Sequence, residues 1–394
     1  MNDARSCRAC GGAHLRGIYR VDRVPVHSCL MVDTRAEALS FPCGDVDLAF
    51  CEGCGFIQNR RYDPSLQAYS PAYEETQFFS PRFRRFLAEL CDDQASRHAL
   101  GGKTVLEIGC GKGEFLAALC ERAGCSGIGI DPGYRPERMD SPAAARLRFI
   151  QDFYGPAYAD LQADYVCCRH TLEHIGDVAD FMRLVRKPMG DRTDVVVFFE
   201  LPDAERVLTE AAFWDIYYEH CSYFTPGSLA RLFRRTGFEP RRLWKAYDDQ
   251  YLLLEAVPAL PGTGSWLPEE DDLERTSGQV DRFVAAVEAR IAELKDQLAR
   301  WRKAGKTVAL WGSGSKAVSY LTTLGVTDEV EAVVDINPHK HGKFLAGTGH
   351  EIVAPEALQR LRPDCVVIMN GIYTDEIRAD LERLGLQPEL SALA

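Results

Sequence analysis

Between residues 69 and 260 the chain alternates short apolar runs with amphipathic stretches. Four of the runs, Thr104–Ile108, Gly127–Asp131, Tyr165–Cys168 and Val195–Phe199, carry apolar residues on both sides of the strand they would form. That is the pattern of parallel strands covered on both faces by helices. The first hands over directly to an amphipathic stretch, Glu114–Leu119, and the alternation predicts a doubly wound α/β domain. A second, smaller α/β unit starts at Thr307–Trp311 and continues through a glycine-rich turn, a helix, and the runs Val330–Asp335 and Cys365–Met369. Between the two, Val284, Val287, Ile291 and Leu294 recur at helical spacing and predict a long connecting helix over about 268–300. Residues 1–62 are punctuated by Pro and Gly, read as strand-poor, and contain no helical period long enough to close a core. The expected units are therefore 1–62, 63–260 and 261–394.

Composition narrows the class. A hydrophobic share of 46% with 26% charged residues excludes a disordered or collagenous chain. The net charge of −12 argues against nucleic acid or an anionic membrane surface as a partner. No apolar run approaches the ~18 residues of a membrane span, and Met1–Arg5 leads straight into polar sequence, so the expectation is a cytoplasmic protein with reduced thiols. Fourteen cysteines in 394 residues fall well short of a disulfide scaffold. Cys7/Cys10 and Cys51/Cys54 form two C-x-x-C knuckles, and four thiolates are the ligand set of a tetrahedral structural zinc, with no position left open for catalysis. Such a metal would replace the core that residues 1–62 lack. Cys29 and Cys43, outside the knuckles, read as core or loop residues.

Glu107-Ile108-Gly109-Cys110-Gly111-Lys112-Gly113 lies where the first strand meets its helix, and the next strand ends at Asp131. Glycines there let a ligand approach the backbone, and a carboxylate at that strand end can accept ribose hydroxyls. With Asp131-Pro132 and Arg169-His170-Thr171-Leu172-Glu173-His174 following in order, residues 100–245 resemble the class I S-adenosylmethionine-dependent methyltransferases. The resemblance implies that Gly109, Gly111 and Gly113 pass near the methionine part, and that Asp131 holds the ribose. It also implies that Asp152, with Gln151 and Phe153, flanks the adenine and that His170 sits beside the sulfonium. Glu107 is suited to orient the amino acid portion. Glu173 and His174 read at least as well as cap and packing residues.

A second turn, Gly312-Ser313-Gly314-Ser315-Lys316-Ala317, fits G-x-G-x-x-A, with Asp335 ending the next strand. Taken alone it is a dinucleotide fingerprint and makes an NAD(P)-dependent oxidoreductase an alternative. The unit is only about half the size of a full dinucleotide fold, so a mononucleotide or diphosphate is easier to house. Lys316 would meet a phosphate, assisted by the helix amino terminus, and Asn370 ends a strand facing the same crevice.

Phe213 to Thr225 packs tyrosines around Glu219-His220. A helical turn would bring Tyr217 and His220 together at i, i+3. The order of cysteine knuckles, methyltransferase motifs, Tyr-x-Glu-His and a small α/β unit is similar to the sugar C-methyltransferases that act on nucleotide-linked ketodeoxysugars. That resemblance implies His220 as general base, Tyr217 and Glu219 in the sugar pocket, and Tyr73 closing it. His27 and Cys29 depart from the family's pattern, which leaves the acceptor open. O- or N-methylation of a small metabolite remains an alternative, as does a non-catalytic zinc-bearing scaffold.

Overall fold

The computed structural model describes residues 6–67, 72–259 and 264–393. Met1–Arg5 and the expected boundary at 260/261 lie outside the described residues. A seven-stranded sheet runs in the order Phe238–Ala246, Tyr251–Pro258, Val196–Pro202, Tyr165–Arg169, Thr104–Ile108, Ser126–Ile130, Leu147–Ile150. Its pairings are parallel except those of Tyr251–Pro258, which is antiparallel to both neighbours. The four expected strands are its centre. Their continuous burial follows from the alternation of side chains across a strand. Val105, Tyr165, Cys167 and Phe198 pack with helices Pro81–Arg97 and Glu114–Ala123. Leu106, Val166, Cys168 and Phe199 pack with Val178–Arg186 and Pro226–Arg235 on the other face.

The amino-terminal segment corrects an expectation. It is not strand-poor: Leu15–Pro25 pairs antiparallel with Cys43–Cys51, which pairs with Ile57–Asn59. Bulges between Gly17 and Tyr19 and between Val21 and Val24 break the period, and Arg16, Arg20, Asp22 and Arg23 mask it further. A fourth strand, Ser222–Tyr223, joins this sheet from the far side of the methyltransferase-like segment.

The five-stranded carboxyl-terminal sheet is parallel throughout, ordered Ile352–Val353, Ala332–Val334, Val308–Trp311, Cys365–Ile368, Glu389–Ala392. Helix Leu273–Lys303 precedes it, as the spacing predicts, and buries Val280, Phe283, Val287, Ile291, Leu294 and Leu298. Val284, expected on that apolar face, is 46% exposed; Phe283 holds the buried place. This helix, the strand Leu15–Pro25 and the segment 204–216 share one core with the carboxyl-terminal unit. The carboxyl ends of the two parallel sheets thereby open onto one cavity. Among the described residues no helix is long and apolar enough to cross a membrane.

Candidate active site

The cavity measures about 1300 Å³ and is walled by the turn 107–112, the segment around His220, and the carboxyl-terminal turn 311–316. Gly109 adopts φ +72°, and a Cβ there would lie 1.9 Å from Thr171 Oγ1. Gly113 caps helix Glu114–Ala123 at φ +82°, where a Cβ would strike Phe149 at 2.6 Å. Both positions require glycine, and at Gly109 this brings bare backbone to the cavity. Asp131 ties this turn to the next: its Oδ2 accepts from Gly111 N–H (2.8 Å) and its Oδ1 from Gly133 N–H (2.6 Å). Each oxygen keeps one lone pair for a further donor.

Beneath the turn, Glu107 is 2% exposed, and its Oε2 has no hydrogen-bond partner among the described residues. Burial raises its pKa to about 8. An orphan buried carboxyl oxygen costs free energy until a donor or cation reaches it, which fits the ammonium of an amino acid. His170, at φ +47°, closes the strand Tyr165–Arg169. Burial opposes its charge, but Glu173 and Glu200 outweigh burial and raise its pKa to about 9. Its Nε2 lies 2.9 Å from Glu200 Oε1, and Glu200 also accepts both guanidinium N–H groups of Arg169 at 2.7 and 3.0 Å.

His220 N–H donates to the Tyr217 carbonyl at 3.2 Å, which makes a tight turn and brings the two rings to 4.2 Å. The His220 ring is 6% exposed and stands perpendicular to His174 at 4.8 Å. Burial, and then the charges of His174, His170 and Lys316, hold its pKa well below the usual imidazole range. The ring is therefore neutral at pH 7 and opens onto the cavity beside Tyr217.

Glu219 and Asp152 lie off the cavity wall, whereas Lys316, Asn370 and Tyr73 line it. Glu219 is fully buried, with Oε1 accepting from Ser28 N–H (2.5 Å) and the Ser28 hydroxyl, and Oε2 3.2 Å from His27 Nδ1. Adjacent side chains diverge, so a turn that aims His220 inward aims Glu219 at the loop 27–28. Asp152 is exposed and accepts from Tyr158 O–H and Phe153 N–H, while Phe153 and Tyr154 form the wall there. Lys316 lines the cavity in an ion pair with Asp215 at 2.7 Å. Asn370 lines it too, in a reciprocal amide pair with Gln250 at 2.9 Å. Tyr73 lies on the wall, edge-on to His27 at 6.0 Å. Ser28 and Glu75 were not singled out from sequence. Glu75 overhangs Gly111, and burial raises its pKa to about 7.

Residues 74–243 match a family described as a methyltransferase domain, and residues 264–386 match a C-methyltransferase C-terminal domain. Together these two matches and a relative aligned along nearly the whole chain support a class I C-methyltransferase family. The chain is 26% identical over 395 residues to C-methyltransferase NovU of Streptomyces niveus, covering 94% of this chain and 90% of that protein. A ubiquinone biosynthesis O-methyltransferase of Pseudomonas paraeruginosa is 37% identical over 93 residues, 22% of this chain and 40% of that one. A solved Burkholderia thailandensis 1,6-didemethyltoxoflavin-N1-methyltransferase is 16% identical with a TM-score of 0.33, over 45% of this chain and 81% of that one.

This C-methyltransferase is S-adenosylmethionine-dependent. Its second glycine-rich turn differs from the first in how its acid is used. Asp335 Oδ2 accepts from Ser313 N–H, the Ser313 hydroxyl and Lys340, and Oδ1 from Asn337 N–H. With three donors on Oδ2, only Oδ1 keeps a lone pair, so ribose recognition through both carboxylate oxygens is obstructed. The knuckle cysteines converge instead on a metal-sized space. Cys7 and Cys54 Sγ lie 3.6 Å apart, Cys10 and Cys51 Sγ 3.7 Å, and all four sulfurs fall within 4.8 Å of one another. Tetrahedral coordination at a metal–sulfur distance of ~2.3 Å requires edges of ~3.8 Å.

Proposed function

We propose that this C-methyltransferase methylates the carbon beside the ketone of a nucleotide-linked ketodeoxysugar, with His220 as general base. The observation that carries the reading is a buried, neutral imidazole beside Tyr217 in the same cavity as the glycine turn 109–113. Gly109, Gly111, Gly113, Asp131, Glu107 and His170 hold S-adenosylmethionine in this reading. When bound, that donor supplies an electrophilic methyl group and departs as a neutral thioether. His220 breaks the acceptor's C–H bond by taking the proton onto its free ring nitrogen, and the electron pair left on carbon forms the new C–CH₃ bond. Positioned proton transfer of this kind is worth ~10²–10⁴ in rate. Tyr217 O–H donates to the developing enolate oxygen. Glu219 acts through the turn, as a positioning residue. Tyr73, Lys316 and Asn370 bind the acceptor, the last two at the carboxyl-terminal turn.

The proposal extends to a structural zinc on Cys7, Cys10, Cys51 and Cys54, supported by the sulfur spacing. It also keeps the division into a zinc-bearing unit (1–62), a methyltransferase unit (63–260) and a substrate unit (261–394). A cytoplasmic setting belongs to the same reading, with none of the fourteen cysteines in a disulfide. The test is incubation with labelled S-adenosylmethionine and a panel of nucleotide-linked ketosugars, followed by mass spectrometry. A new C–CH₃ bond and solvent exchange of the acceptor's α proton are expected. His220→Ala should lower turnover by at least ~100-fold and leave donor binding intact. A methyl on oxygen or nitrogen, or turnover retained in His220→Ala, overturns the reading.

A further inference from the structure

Glu173 and His174 belong to the one-turn segment Leu172–His174 at the end of strand Tyr165–Arg169, and both face the cavity. Neither has a task in the proton transfer. Glu173 is 2% exposed, with Oε1 3.7 Å from His170 Nδ1 and Oε2 without a hydrogen-bond partner among the described residues. His174 and His220 approach ring to ring at 4.8 Å and 87°, and among the described residues none hydrogen-bonds the His220 ring. One donor atom from each of Glu173, His174 and His220 lies within 4.8 Å of the other two. A buried carboxyl oxygen with no donor and an imidazole with an unused lone pair are costly neighbours unless something electron-poor sits between them.

Two histidines and one glutamate form a three-ligand set that binds zinc while leaving a coordination position open. Ligand atoms around such an ion stand ~3.4 Å apart at metal–nitrogen distances of ~2.0–2.1 Å, so small side-chain rotations close the present spacing. His170, against the other Glu173 oxygen, supplies the outer contact that orients a ligating carboxylate. All three residues line the cavity.

We propose that Glu173, His174 and His220 bind a zinc-type dication, and that this binding switches methyl transfer off. The inhibition rests on reading His220 as the base. Coordination uses the same nitrogen lone pair that would take the acceptor's proton, so metal and proton abstraction exclude each other. The site is chemically separate from the four cysteine sulfurs: its donors are nitrogen and oxygen and lie on the cavity wall.

The test measures zinc per chain after equilibrium dialysis of the intact protein, without donor or acceptor. Wild type takes up one equivalent beyond the cysteine site. His174→Ala and Glu173→Gln bind that equivalent more than about tenfold more weakly, with donor binding confirming that each variant is folded. In parallel, zinc at that occupancy abolishes wild-type methyl transfer, and dialysis that removes only this equivalent, leaving the cysteine site loaded, restores it. Equal zinc uptake by wild type and both variants overturns the site. Full occupancy with undiminished transfer overturns the switch. Because uptake is read without substrates, loss of the general-base assignment through an active His220→Ala leaves the stoichiometry result readable on its own.

Discussion

Two carboxyl groups near the first glycine turn meet opposite fates in the same burial. Glu200 is desolvated, yet Arg169 and His170 hold its pKa at about 2. Glu107 is equally buried, its interaction with Arg169 is too weak to offset burial, and its pKa rises to about 8. At pH 7 Glu107 is mostly protonated. An ammonium placed beside it favours the carboxylate and pulls the pKa down, so donor binding should expel a proton. Calorimetry in buffers of different ionisation enthalpy should record release of up to about one proton near pH 7, fading above about pH 9. Glu107→Gln should release none. Release in that variant equal to wild type would remove Glu107 from the donor site. The Glu107 position was legible because a strand, a glycine turn and a helix are neighbours in sequence. Glu219 was legible only in part: its partner Ser28 is 191 residues away, and nothing in Tyr-x-Glu-His tells which side of the turn each residue faces. For His174 the cap-or-packing reading and the catalytic one stay open in the sequence for the same reason, since its approach to His220 joins two segments far apart in the chain.

At the scale of elements, the two glycine turns look alike in sequence and differ in what they demand. Gly109→Ala combines a left-handed backbone with a Cβ 1.9 Å from Thr171 Oγ1. The cost should be about 3 kcal/mol or more, visible in urea unfolding, together with loss of donor binding. Gly314 has φ −83°, and a Cβ there meets nothing within 4 Å. Gly314→Ala should leave the unfolding midpoint unchanged and raise KM for the acceptor, because the added methyl occupies space a phosphate would use. An unchanged KM would move the acceptor's anionic end off this turn. The parallel strands were readable because burial on both faces writes a continuous apolar run. Leu15–Pro25 was not, because bulges shift its register twice and its outward residues are charged. The pairing of Ser222–Tyr223 with Ile57–Gln58 joins segments that sequence reading assigns to different units.

That pairing makes the amino-terminal sheet a support for the turn Tyr217–His220. Cys51 ends one strand and Cys54 sits in the turn before Ile57–Asn59. Asn59 N–H donates to the Cys221 carbonyl at 2.9 Å, and Phe56 packs on Phe224 at 5.0 Å. The chain between those contacts and Tyr217 carries His220. The glycine turn 109–113 hangs on the seven-stranded sheet and takes none of its hydrogen bonds from the knuckles. Metal removal, or Cys51→Ser, should therefore separate two properties that fail together in a globally unfolded chain. Methyl transfer and α-proton exchange should fall by about a hundredfold or more, the contribution of a positioned base. Donor affinity, measured by calorimetry on the same sample, should stay near wild type. Were donor affinity lost in step with transfer, the knuckles would be holding the whole molecule rather than one turn of it, and the metal's influence on His220 would need no strand to carry it.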